Sequence, residues 1–213
     1  SKMAYPTIDA PYGLVPVGLI GGRNYAGGVR EMKIANNYGT AIGNGDLVTR
    51  VSDGTIARDG STTAFAATGT LGVFVGCSYT DPNTGQLTFN NQYPGSIAAD
   101  DIVAKVVDDP DVTFKVAVVS GTTTIASVGR TVIGNNVSIV SNTLTTANGR
   151  SKLAVLSTSA AATKTLPLKV LDVVEETKTG SDAFVELIVT YNPAHEASNV
   201  TTGGHSYRNP TGL

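Results

Sequence analysis

Two histidines, one cysteine and one cluster of carboxylates are the side chains of this chain whose chemistry has to be weighed first. His195 and His205 both fall in the irregular C-terminal region. An imidazole titrates in the range a general base needs, but no nucleophile motif accompanies either one. Gly204-His205-Ser206-Tyr207-Arg208 begins like a nucleophile elbow, then lacks the closing glycine and a buried strand ahead of it. Cys77 is the sole cysteine, which excludes an intrachain disulfide and a cysteine-based zinc site. A small buried strand residue is the expected role of such a thiol. Gly43-Asn44-Gly45 is not followed by a third glycine, and no Gly-Lys-Ser/Thr closes a glycine-rich loop, so no phosphate cradle is expected.

The carboxylates concentrate at Asp108, Asp109 and Asp111, with Asp100 and Asp101 upstream. Hard cations take several oxygen ligands, which makes calcium the one metal worth considering. The spacing is not that of an EF-hand, and Asp-Asp-Pro-Asp is ordinary turn chemistry. Paired carboxylates for glycoside hydrolysis would need a cleft of defined width. Sugar recognition would fall to Tyr79, Tyr93 and Asn91, since the chain has no Trp. No catalytic, cofactor-binding or metal-binding residue is assigned. The expectation is a protein that is not an enzyme and needs no cofactor to fold.

The elements around these residues are strands. Charged residues make up 15% of the 213, well under the usual ~25%, and Val, Thr and Gly are abundant. A net charge of −2, with no Lys/Arg cluster among aromatics, gives no field for a polyanion, so no nucleic acid is expected as partner. No apolar run reaches the ~20 residues of a membrane-spanning helix. Pro6, Asp9 and Pro11 interrupt the apolar core a signal peptide would need. Asn136-Val137-Ser138 and Asn199-Val200-Thr201 match the glycosylation pattern, as an Asn/Ser/Thr-rich chain does by chance.

Period-2 alternation begins at Val29. Met32 and Ile34 alternate with Glu31 and Lys33, and Asp53-Gly54 reverses the chain between Leu47–Val51 and Thr55–Arg58. Residues 71–79 place Val73, Val75, Cys77 and Tyr79 on one face, with glycines that mark a bulge or a barrel corner. Further strands are read at 87–89, 102–107, 112–119, 137–140, 153–156, 166–174 and 184–191, and 122–128 has room for one short helical turn.

The fold class is therefore all-β. The body is a small β-barrel or β-sandwich, or two β subdomains, with extended N- and C-terminal arms. Residues 1–28, punctuated by Pro6, Pro11 and Pro16 and by glycines, form an apolar arm without a regular period. That arm should lie across this body or another subunit and add little to intrinsic stability. Residues 29–140 form the barrel or sandwich, and 141–165 a Ser/Thr/Ala-rich loop or boundary. Residues 166–195 pack on the body or make a second small subdomain, and 196–213 are a polar tail.

Several of these segments carry a resemblance. Gly45-Asp46-Leu47-Val48, Asp53-Gly54 and Leu71-Gly72-Val73-Phe74-Val75-Gly76 resemble the small β-barrel of tailed-phage head proteins that decorate or cement the capsid. Residues 101–116 (DIVAKVVDDPDVTFKV) are similar to a segment of virion structural proteins of phages infecting marine bacteria. So are Leu166–Leu171 and Val185–Asn192 with His195, although Asn192-Pro193-Ala194 stands where those relatives have more polar residues. The resemblance implies a capsid decoration subunit that binds the major capsid protein and forms a homo-oligomer, dimer or trimer. It would reside in the virion after synthesis in the host cytoplasm. The alternative is a β-sandwich adhesin or fibre module that recognises host-surface glycans.

Overall fold

The structure is a computed structural model that describes residues 8, 10–144, 147–193, 195–197 and 200–213, with side chains for all of these except 195–197 and 200–202. Its strands are β1 Val15–Leu19, β2 Arg30–Lys33, β3 Leu47–Arg50, β4 Ile56–Arg58, β5 Gly72–Thr80, β6 Leu87–Asn90, β7 Val103–Val107 and β8 Val112–Val119. They continue with β9 Asn136–Val137, β10 Ile139–Val140, β11 Ala154–Leu156, β12 Leu168–Val173, β13 Glu186–Tyr191, β14 His195–Ala197 and β15 Val200–Thr202. Helical structure among the described residues is limited to three single 3-10 turns, Arg130–Val132, Glu175–Thr177 and Ser206–Arg208. The chain is all-β, as its alternation and composition require.

The first sheet has the order β2-β7-β5-β3-β4, with β6 added to the far half of β5. Ile34, one residue past β2, bridges to Ile56 at the start of β4. That bridge brings the two ends of the order together, so the sheet curls into a small barrel. Met32, Ile34, Val48, Ile56, Phe74, Cys77, Tyr79, Ala104 and Val106 fill it. The second sheet runs β10-β11-β8-β13-β12-β9, with β1 laid antiparallel along the first half of β8. Only Ser138 separates β9 from β10, so one stretch of chain pairs with β12 on one side and β11 on the other. This sheet closes on itself as well, around Phe114, Val116, Val118, Val170, Leu187 and Val189.

The two sheets share an interface. Leu47, Val73 and Val107 come from the first sheet and join the second sheet's core. Such strands are buried on both faces, which is why Val106-Val107 and Val116–Val119 read as continuous apolar runs rather than as alternation. In β5 the glycines do mark a bulge, and it lies between Phe74 and Gly76, where Gly76 has φ +149°. The extra residue breaks the single face read from the sequence. Phe74, Cys77 and Tyr79 point into the first barrel, whereas Val73 and Val75 pack with the second core.

Other expectations are corrected by the packing. The change from one sheet to the other falls at Asp108–Asp111, ahead of the 141–165 stretch, which itself supplies β11 to the second sheet. Residues 122–128 hold no helical turn; Ile125 bridges to Val119 and Val128 to Phe184. The arm's second half is not peripheral. Leu14 is 1% exposed within the second core, its N–H donates to the Gly45 carbonyl, and Gly13 donates to the Leu153 carbonyl. Gly13 sits at φ +83°, where a Cβ would meet the Ser151 Cβ at 2.6 Å, so the arm enters through a gap only glycine fits. The expectation of little intrinsic stability from this segment therefore fails for residues 13–19.

Candidate functional site

The residues singled out for chemistry are scattered, and most are consumed by structure. Cys77 lies in the first barrel with its thiol 3.3 Å from the Gln92 carbonyl, and burial pushes its pKa up to about 12. A thiol held protonated in this way is inert. The acidic turn is divided among separate partners. Asp108 takes Arg30 at 2.7 Å and the Tyr207 hydroxyl at 2.5 Å, Asp109 accepts the Asp111 N–H, and Asp111 pairs with Arg208 at 2.8 Å. Asp100 bonds Asn36, and Asp101 caps Thr80. No three acidic, histidine or cysteine side chains among the described residues come together as a metal site would need.

The sugar-pocket expectation is overturned by burial. Tyr79 and Tyr93 are core residues of the first barrel, and Tyr93 donates its hydroxyl to the Tyr38 carbonyl. Only Asn91 is at the surface, with its amide on the Asn148 carbonyl. Asn136 is buried in β9, bonded to the Thr163 carbonyl, which is no position for a glycan; Asn199 lies outside the described residues. A hollow of about 170 Å³ beside Arg50, Tyr207 and Leu213 is smaller than the ~300 Å³ at which small-molecule pockets begin.

Sequence reasoning missed two buried polar arrangements. Asp46, 1% exposed, ends the turn that precedes β3 and accepts hydrogen bonds from Gly43 N–H, from Ser151 Oγ at 2.5 Å and from Arg58 Nε at 3.3 Å. Arg58 then reaches the Asn142 carbonyl at 2.7 Å and Ser141 Oγ at 3.1 Å. First-barrel and second-barrel segments are thereby clamped together. The turn residue Asp46 was visible, but nothing local announces a partner 105 positions away. In the second arrangement Tyr12 donates its hydroxyl to the buried Glu186 at 2.5 Å, and Lys115 lies over its ring. Burial, followed by Glu186, pushes the Tyr12 phenol far above its ordinary range.

The C-terminal segment hooks onto the same body. Thr70 pairs with His205 through Thr70 N–H to the Gly204 carbonyl and Ser206 N–H to the Thr70 carbonyl. The His205 ring is buried, faces Tyr191 and Tyr207 edge-on, and accepts the Tyr207 N–H on Nδ1 at 3.2 Å. Desolvation holds its pKa below the usual imidazole value. His195 stands in β14, with its side chain outside the description.

Val17, Ile20 and Val29 are exposed on β1 and the loop that follows it. Residues 20–30 are exposed throughout except for Tyr25, whose hydroxyl donates to the Gly28 carbonyl. On the opposite sheet Leu87 is 62% and Phe89 70% exposed on β6. Comparison with protein families, with curated protein sequences and with solved structures finds no match.

Proposed function

We propose that this chain is a virion structural protein, a decoration or cement subunit of a tailed-phage head that binds the major capsid protein. The observation that carries this reading is the loop after β1. It is pinned at its root, where Ile20 N–H donates to the Asp111 carbonyl and Leu19 N–H to the Arg23 carbonyl, yet it holds Ile20 and Val29 in water. Apolar side chains held outward on an anchored segment serve contact rather than folding. Low charge and an all-β body of two packed sheets fit a subunit whose task is to cover surface. A standard contact buries ~1,600 Å², and repetition over a shell makes modest contacts collectively strong. The resemblance read in residues 101–116 and 185–192 falls on β7, β8 and β13 of the scaffold.

Co-sedimentation of the purified chain with intact tailed-phage heads tests it. The wild-type chain should pellet with heads, and the double variant Ile20→Asp/Val29→Asp should remain in the supernatant with its melting temperature unchanged. Failure of the wild type to pellet, together with binding to a glycan array, would replace the capsid reading with the adhesin.

A further inference from the structure

We infer that β6 is the interface through which two copies of this chain pair, antiparallel across a two-fold axis, so that the first sheets of both copies become one. This inference stands on β6 alone and holds whether or not the chain binds a capsid. Among the described residues β6 is paired on one side only, to Cys77–Thr80 of β5. An open strand edge invites another strand, and proteins usually blunt it with Lys, Pro or a bulge. From Gln86 to Gln92 this edge carries no charge and no proline, and its register with β5 runs without a shift.

The side-chain arrangement fits a second copy in particular. Thr88 and Asn90 stand opposite the buried Tyr79 and Cys77, so Leu87 and Phe89 share the outer face. In an antiparallel pair centred on Thr88, Leu87 of one copy stands opposite Phe89 of the other, and the four side chains form one cross-strand apolar row. The charges around the strand are self-complementary as well. At its N-terminal end Asp81 donates its N–H to the Gln86 carbonyl, and Asp101 caps Thr80, the partner of Leu87. At its C-terminal end Asn91 holds the Asn148 carbonyl, two residues ahead of the exposed Arg150, whose charge also acts on Tyr12. None of these three charges has a salt bridge among the described residues. A two-fold axis lays each acidic end against the partner's basic end, twice, while Lys105 stays over the Phe89 ring of its own copy. An isologous contact requires that kind of self-matching.

Sedimentation velocity on the full chain decides the matter. At roughly 100 μM the wild type should be largely dimeric and should dissociate on dilution, as a contact below ~1,200 Å² would. Phe89→Lys and, separately, Leu87→Lys should each weaken dimerisation by about tenfold or more while leaving the melting temperature of the dilute monomer in place. Arg150→Glu should also weaken it, and Asp81→Arg combined with Arg150→Glu should restore it. A wild type that stays monomeric at that concentration overturns the inference. So does a dimer that survives both lysine variants, or a charge swap that restores nothing.

Discussion

β1 and β6 are both supernumerary strands, each laid on the flank of a strand that already belongs to a closed sheet, and they are finished in opposite ways. β1 contains Pro16 and Gly18, its register on β8 slips between them, and the residue ahead of it, Leu14, is sunk in the second core. β6 has an unbroken register, no proline and no charge, and its two large apolar side chains face water. Proline and a bulge are devices that stop an edge from recruiting another strand. The edge that leads into the second core is protected, and the edge whose large side chains lie outside both cores is left bare. An N-terminal segment that reads as a loose arm is thus a structural element, and a hairpin that reads as ordinary is the open surface.

Truncation should separate the two strands sharply. Leu14→Ala removes a side chain from a packed core and should cost about 2–5 kcal/mol, read by urea unfolding at low protein concentration. Phe89→Ala, measured under the same dilute conditions, should stay within roughly 0.5 kcal/mol of wild type. Equal losses at the two positions would erase the contrast between a stabilising edge and an open one.

A smaller effect tests how β1 is seated. Ser151 Oγ donates to Asp46 and accepts the Leu153 N–H at 3.0 Å, while its Cβ forms one wall of the gap through which Gly13 passes. Ser151→Ala keeps that wall and deletes the donor. Asp46 then loses one of its three partners in a site closed to water, and the cost should be about 1–3 kcal/mol. If unfolding shows no loss, the Asp46 cluster is not what fixes the seat of β1.

The sequence made the strands legible wherever one face or both were continuously apolar. The 47–51 and 55–58 hairpin, the paired runs 102–107 and 112–119, and the stretch 184–191 all appear where their alternation or Val content puts them. Asp53-Gly54 forms the reversal, with Gly54 at φ +84°. β1 was invisible because Pro16 and Gly18 hide a strand that pairs on one side only. Allocation to sheets was invisible too, since β7 and β8 are joined by four residues yet belong to different barrels. Of the site, the exposed side chains could be guessed no better than the buried ones: Leu87 and Phe89 alternate just as Tyr79 and Cys77 do. Only the bulge at Gly76 and the closure through Ile34 and Ile56 decide which pair faces water.

Between a protected edge and an open one lies a third case, the edge at Thr70, which the C-terminal hook covers. That cover depends on a neutral His205, because Nδ1 must accept the Tyr207 N–H and an imidazolium has no free lone pair there. Burial lowers the folded-state pKa of His205, opposed by the Leu71 backbone and by Asp108 and Asp109, with Arg208 acting in the same direction as burial. Above the unfolded value near ~6.5 the ring is neutral in both states, and the hook's contribution is complete. As pH falls below that value the unfolded chain takes up the proton first, so stability drops through the window down to the lowered folded pKa and then levels off. Asp53 and Asp101, both held below the ordinary carboxylate range by Thr55 and Thr80, lose their contributions only at more acidic pH, so they do not mask the window. His205→Asn keeps an acceptor for the Tyr207 N–H and removes the titration. Urea unfolding between pH 7.5 and 5 should show a modest slope for wild type and a clearly smaller one for the variant. Equal slopes in both proteins would mean that the hook does not sense pH and that the Thr70 edge is covered as firmly as β8 is by β1.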